Sequence, residues 1–297
     1  MFWFILYNGV LLPVLTCIVF LAAIFFPKIR EGLKGRFQTY RRLKLFFEKK
    51  HTRHDLYWFH AASLGEFYQI KPIIEGMKKM KKENVIFISF SSPSGLNYAF
   101  SDAIDLKFYL PFDFPWTIQK VLSLVKPKKV IFATYDIWPN FVWFCKAKNI
   151  HLNVMSAKIG HHSIKYRPVI MNFYKSLYKL FDTIYTITEK DKNRFERMLG
   201  SKVNPVILAL GNPRFDKIFD ESKEFIESKP TIKDREQIIL IGSSHSRDDL
   251  ILIPALINLM TDFPELRIIH APHEPNHNYI RSIQDIYSKF GHDSIIL

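Results

Sequence analysis

The sequence predicts an α/β protein with two units of parallel sheet, preceded by a single transmembrane helix. Three observations predict it. Short β-rich runs alternate with stretches of helical period along most of the chain. That alternation begins afresh after a polar stretch around Lys229-Pro230. The opening residues, as far as Phe26, are almost wholly apolar.

Phe2 to Phe26 holds no charged residue. At about 1.5 Å per residue, a helix of that length crosses a hydrocarbon core of about 30 Å. A cleaved signal would start with basic residues and end on small ones. Here no basic residue precedes the run, and bulky Ile24, Phe25 and Phe26 follow Ala22-Ala23. Residues 1–27 therefore read as a retained anchor. Residues 28–55 form a basic juxtamembrane segment, where nine Lys or Arg between Lys28 and Lys50 stand against Glu31 and Glu48. This excess keeps the flank, and the whole of the chain after it, in the cytoplasm, so the expectation is a single-pass topology. The segment reads either as a contact for anionic headgroups or as an ordinary solvated helix.

Residues 56–219 form the first α/β unit. Strand runs lie at Leu56-Phe59, Val85-Phe90, Val130-Ala133, Leu152-Met155, Thr183-Ile187 and Val206-Leu210. Between the first two, Phe67 to Met80 places Ile70, Ile73, Ile74 and Met77 at helical period. Residues 220–237 read as a linker or surface helix. Residues 238–297 then start a second unit: strand Gln237-Ile241, helix Asp248-Met260, strand Leu266-His270 and a helix from Asn278. The sequence stops at Ile295-Ile296-Leu297, on the start of another strand. The expectation is a partial second unit, in a chain that is either a fragment or truncated by nature.

Net charge is +14 with histidines neutral, which favours anionic partners such as phosphorylated lipid, nucleotide or nucleic acid. No nucleic-acid module is recognisable, so nucleic acid is not an expected partner. The two cysteines, Cys17 and Cys145, fall in an apolar run and a helical stretch, which gives neither a disulfide framework nor a metal site. His245, His270, His273 and His277 do not fit a zinc spacing and no cysteine joins them, so no metal or cofactor is expected.

The chemistry-bearing segment is Trp58-Phe59-His60-Ala61-Ala62-Ser63-Leu64-Gly65-Glu66. Glu66 falls in the first turn of a helix at the carboxyl edge of a strand, where α/β folds place ligands. Ser63-x-x-Glu66 is also the spacing of a capping box, which ties down a helix start without any chemistry. Ser91-Ser92-Pro93-Ser94-Gly95 can present backbone N–H groups to an anion, or can simply form a tight turn and cap.

These residues carry a resemblance. Residues 58–66 resemble the W-x-H-A-x-S-x-G-E segment of the bacterial 3-deoxy-D-manno-octulosonic acid (Kdo) transferases, which attach Kdo to lipid A precursors. Ser92-Pro93-Ser94-Gly95 is similar to that family's T-P-T-G. The likeness continues through Tyr109-Leu110-Pro111-Phe112-Asp113-Phe114-Pro115, Ile137-Trp138-Pro139-Asn140, Gly211-Asn212-Pro213-Arg214-Phe215-Asp216 and Ser243-Ser244-His245. Six such segments in order make a specific signal.

The resemblance implies a GT-B fold of two Rossmann-like domains, and transfer of Kdo from CMP-Kdo to a lipid A precursor with inversion. Glu66 takes the role of general base. Ser63, Gly65, Ser94, Gly95, Asp136 and Lys158 are implied on the acceptor side; Asn212, Arg214, Ser243, Ser244, His245 and His273 on the donor side. Anionic lipids of the inner membrane are the further expected partner, and that membrane is the expected location. Three segments depart from the family. Thr134-Tyr135-Asp136 stands for E-T-E, so the first glutamate is absent and the second shortened. Ser156-Ala157-Lys158 stands for N-A-R, which trades a bidentate fork for a point charge. Pro272-His273-Glu274-Pro275 stands for P-R-H-P. These departures keep two alternatives open: a non-catalytic remnant that binds anionic lipid, and a GT-B enzyme with another sugar donor.

Overall fold

The computed structural model describes all residues except 51–53, 161–166, 201–204, 228–236, 274 and 297. The middle of the expected linker and Glu274 thus lie outside the described residues. The chain divides into two compact units, Met1–Glu224 and Phe225–Leu297.

The first unit opens with α1 (Phe2–Leu6), a π-helical turn (Tyr7–Leu11) and α2 (Leu12–Phe25), which run on as one apolar helix. Pro13 has no N–H to give the preceding turn, which accounts for the wider winding before it. Phe26 is extended and ends the helix, and α3 (Pro27–Lys49) starts with proline at its first position. Next come β1 (Leu56–Ala61), α4 (Leu64–Met80), β2 (Val85–Phe90), α5 (Pro93–Tyr98), β3 (Leu106–Tyr109), α6 (Pro115–Val125) and β4 (Lys129–Phe132). The unit continues with α7 (Pro139–Ala147), β5 (His151–Ala157), α8 (Pro168–Tyr178), β6 (Thr183–Thr186), α9 (Glu189–Leu199), β7 (Val206–Ala209) and α10 (Pro213–Glu227).

All seven strands pair in parallel, in the order β3-β2-β1-β4-β5-β6-β7. The alternation of side chains sends Trp58, Phe87, Val130 and Phe132 to one face and Phe59, Ile86, Ile88 and Ile131 to the other. Helices α4 and α5 cover the second face, through Phe67, Ile70 and Ile74 for α4. The first face is covered by α6, α7, α8 and α9, and also by α3 through Leu43. Both faces being apolar is what made β1 and β2 legible as continuous buried runs. Strand β3 was not legible: it has four residues, includes Lys107, and is a strand because it pairs with β2.

The basic segment is more than a flank. Leu33, Arg36, Tyr40, Leu43 and Phe47 follow one stripe of α3 and are buried or half-buried, while Lys34, Arg41, Arg42 and Lys44 are exposed. Gly35 packs so closely on Tyr109 that a Cβ would lie 2.0 Å from its ring, and Thr39 donates to the Tyr109 carbonyl at 2.8 Å.

The second unit holds β8 (Ile238–Ser244), α11 (Ser246–Asp262), β9 (Arg267–Pro272) and α12 (His277–Lys289). Its two strands are parallel, and Ile253, Ile257, Ile283 and Tyr287 form its core. Strand β8 runs three residues beyond the expected end at Ile241, so Ser243 and Ser244 close the strand rather than follow it.

Candidate active site

In the first sheet the chain winds outward in both directions from β1 and β4. The crevice outside their carboxyl ends is therefore the point of strand-order reversal, where such sheets bind ligands. Glu66 follows β1, Ser91 follows β2, and Thr134 to Trp138 follow β4.

Ser63 caps α4 and its hydroxyl accepts from Glu66 N at 3.4 Å, which fixes the carboxylate in the first turn. Glu66 is 8 % exposed. Its Oε2 accepts from Ala62 N at 2.6 Å and its Oε1 accepts from the Thr134 hydroxyl. The helix N-terminus favours negative charge there. The reach back to the backbone is the capping function in a variant form, to Ala62 rather than to the cap residue itself. Thr134, which follows β4, gives Glu66 a hydroxyl donor.

Beside it lies a second carboxylate. Asp136 Oδ2 accepts from Ser91 Oγ at 2.6 Å and from His60 Nε2 at 3.0 Å. The other ring nitrogen, His60 Nδ1, is within 3.1 Å of the Ser89 carbonyl and 2.9 Å of its hydroxyl. Burial works against ionisation of Asp136. The hydrogen bonds and charge of His60, with Ser91 and the nearby Trp138 indole, outweigh it and hold the carboxyl at about 2. The Trp138 N–H does not reach hydrogen-bond geometry and is buried without a partner. Over the Trp138 ring, at 5.0 Å, lies the Arg36 guanidinium, which also donates to the Leu110 carbonyl at 2.9 Å. Burial lowers the Arg36 pKa, and Asp136 and Asp113 oppose that shift. Asp113 is buried; desolvation pushes it up to about 7 against hydrogen bonds from Asn140 N, Tyr7 and Phe141 N.

Local pattern does not single out His60, Thr134, Arg36 or Asp113, and it marks Ser91 only as part of a turn, not as a partner of Asp136. A signal for Arg36 was present: it is the one cation on the apolar stripe of α3. His60 and Asp113 stand inside the motifs quoted above, but their partners are distant in sequence.

The other expected residues divide. Ser63 is the cap. Gly65 is exposed, and a Cβ there would make only an ordinary contact, 3.8 Å from Ser63 Oγ. Gly95 is a packing residue: a Cβ would lie 2.2 Å from the Phe90 ring. Ser94 is exposed, its hydroxyl 3.0 Å from that of Ser92, which caps α5. Lys158 is exposed past the end of β5, next to a register shift where Ser156 has φ 47° and a buried hydroxyl with no partner. Asn212 Oδ1 accepts from Arg214 N at 3.1 Å at the start of α10, and the Arg214 side chain is exposed.

In the second unit, Ser243, Ser244, His245 and His273 come together at the ends of β8 and β9. Ser243, at φ 63°, bonds His273 Nδ1 at 2.7 Å, and the His245 and His273 rings lie 4.5 Å apart. Ser244 Oγ and Asp249 Oδ1 both contact His270 Nε2, at 2.9 and 3.0 Å, and Tyr279 donates to Asp249 Oδ2. His270, Asp249 and Tyr279 thus brace the turn, a role that no local pattern announced.

Comparison with known proteins comes down on one family. Residues 31–217 match the 3-deoxy-D-manno-octulosonic-acid transferase (kdotransferase) family. The 3-deoxy-D-manno-octulosonic acid transferase of Aquifex aeolicus is 27 % identical over 234 residues, covering 77 % of this chain and 58 % of that protein. The Haemophilus influenzae protein of the same name is 23 % identical over 281 residues, covering 92 % of this chain and 64 % of its own length. This chain therefore spans less than two thirds of each. Among solved structures, UDP-GlcNAc 2-epimerase from Methanocaldococcus jannaschii superposes with a TM-score of 0.52 at 14 % identity, over 79 % of this chain and 70 % of that one. That likeness concerns the fold alone, and it agrees with the α/β class expected from the sequence.

Proposed function

Because the chain belongs to the 3-deoxy-D-manno-octulosonic-acid transferase family, we propose that it serves transfer of Kdo from CMP-Kdo to a lipid A precursor. It does so in lipopolysaccharide synthesis, at the cytoplasmic face of the inner membrane, with the apolar N-terminal helix as anchor. The observation that carries this reading is Glu66: a buried carboxylate at the strand-order reversal, held from both sides by Ala62 N–H and the Thr134 hydroxyl.

In an inverting transfer the acceptor hydroxyl attacks the anomeric carbon of Kdo from the face opposite the phosphate. Glu66 takes the hydroxyl proton as the new C–O bond forms, and CMP leaves with the bonding electron pair. Each carboxylate oxygen has two acceptor positions, so the bonds to Ala62 and Thr134 leave room for that proton. Asp136, held by His60 and Ser91, and Arg36 above Trp138 position the acceptor sugar and its anionic groups. Ser243, Ser244 and His245, ahead of α11, and His273, after β9, meet the donor phosphate. Lys158 and Arg214 add exposed positive charge for the carboxylates and phosphates of the substrates.

The test uses CMP-Kdo, lipid A precursor and the Glu66→Gln variant, with CMP release as readout. Loss of a positioned base costs about 10²–10⁴-fold in rate. A wild-type chain that releases no CMP overturns the transferase reading. Glu66→Gln turnover within about threefold of wild type overturns the base assignment alone, and leaves Glu66 as a helix cap worth about 1 kcal/mol.

A further inference from the structure

The N-terminal helix is tied to the first α/β unit at both ends. At its start, Tyr7 donates to Asp113 Oδ2 at 2.9 Å, and the Asn8 and Asn140 side chains exchange hydrogen bonds of 3.0 and 2.8 Å. The Trp3 ring lies 5.3 Å from Phe173 of α8. At its end the chain turns back at Phe26, and Arg30 donates to the Ala23 and Ile24 carbonyls at 3.0 and 2.7 Å. Phe20 meets Phe37 of α3, which the Thr39 to Tyr109 bond fastens to the sheet.

A helix of 24 residues that crossed the bilayer would set its ends about 35 Å apart, on opposite sides. An α/β unit on one side cannot hold both. Crossing would pull Tyr7 and Asn8 off Asp113 and Asn140, which would cost these buried groups the bonds that the helix supplies. Most of the helix between these ties is exposed and apolar. Trp3, Tyr7, Leu12, Thr16 and Ala23 are buried or half-buried, whereas Val10, Val14, Leu15, Ile18, Val19, Leu21 and Phe25 are exposed. Lys28, Arg30, Lys34, Arg41 and Arg42 of α3, all exposed, follow the helix and complement anionic headgroups.

We propose that this helix is monotopic: it lies in one leaflet of an anionic bilayer with its exposed apolar side chains among the acyl chains and both ends on the side of the α/β unit. On this proposal a lipid-bound surface helix takes the place of the single crossing expected from length and composition. The proposal rests on the membrane reading of the helix and is independent of the transfer chemistry.

The test compares two positions on the full chain carrying Cys17→Ala. One variant has a cysteine on a short Gly-Ser tail ahead of Met1; the other is Lys82→Cys, in the exposed turn after α4. Cys145 is buried and stays silent. Spheroplasts are treated with a membrane-impermeant maleimide before and after permeabilisation, and membranes are washed with high salt. The expected result is that both cysteines are protected together and labelled together, and that the chain stays in the membrane fraction. A tail labelled in intact spheroplasts while Lys82→Cys is protected overturns the proposal. So does a tail that stays unlabelled after permeabilisation, or a chain that washes off as soluble protein.

Discussion

Replacing Asp136 by asparagine tests how the candidate site is wired. The carboxyl sits at about 2 against an ordinary value of 3.8, because His60 and Ser91 stabilise the ionised form more than burial disfavours it. A depressed carboxylate contributes stability above its unfolded value and loses it as pH falls through the folded value. The difference between the two values corresponds to about 2 kcal/mol at pH 7. The side chain is 28 % exposed, and solvent screening trims this towards the lower part of a range of about 1–2 kcal/mol. The Asp136→Asn substitution keeps the size and one acceptor but not the charge. Urea unfolding of the full chain in detergent, followed by tryptophan fluorescence, is run for both chains at several pH values. Asp136→Asn is expected to be less stable by about 1–2 kcal/mol at pH 7, with the gap reduced to about half near pH 3 and closing below that. A gap that stays constant with pH would refute the charge argument, since it would report lost packing or a mismatched amide.

Tyr7→Phe removes one donor to buried Asp113 and should cost about 1–3 kcal/mol of stability, read from the same unfolding curves; a change below about 0.5 kcal/mol would show that the helix start is not held by this bond. Gly95→Ala drives a methyl group into the Phe90 ring and should destabilise by about 1–3 kcal/mol without a selective effect on substrate binding; a lowered affinity in a chain of normal stability would return Gly95 to the binding site. Together with the Glu66→Gln assay and the labelling of the N-terminal tail, these outcomes separate chemistry, packing and membrane topology.

Periodicity and local chemistry determined much of this protein. Predominantly apolar runs defined β1 and β2, because parallel strands are buried on both faces. Ser63 before the helical period of Ile70, Ile73, Ile74 and Met77 placed Glu66 in a first turn at a strand's carboxyl end, and it lies there. These signals are short in range, so a single sequence can carry them. What only the tertiary structure decided is who meets whom. Asp136 and His60 are 76 residues apart, Thr134 and Glu66 are 68 apart, and Tyr7 and Asp113 are 106 apart. No period links such pairs. The first two pairs meet because the strand order sets β1 between β2 and β4 and gathers three loops at one crevice. The same limit governed the N-terminus: length and hydropathy mark a helix fit to cross a membrane. Whether its first turn is free to leave the α/β unit depends on Asp113 and Asn140, two buried polar groups that take part of their hydrogen bonds from that turn.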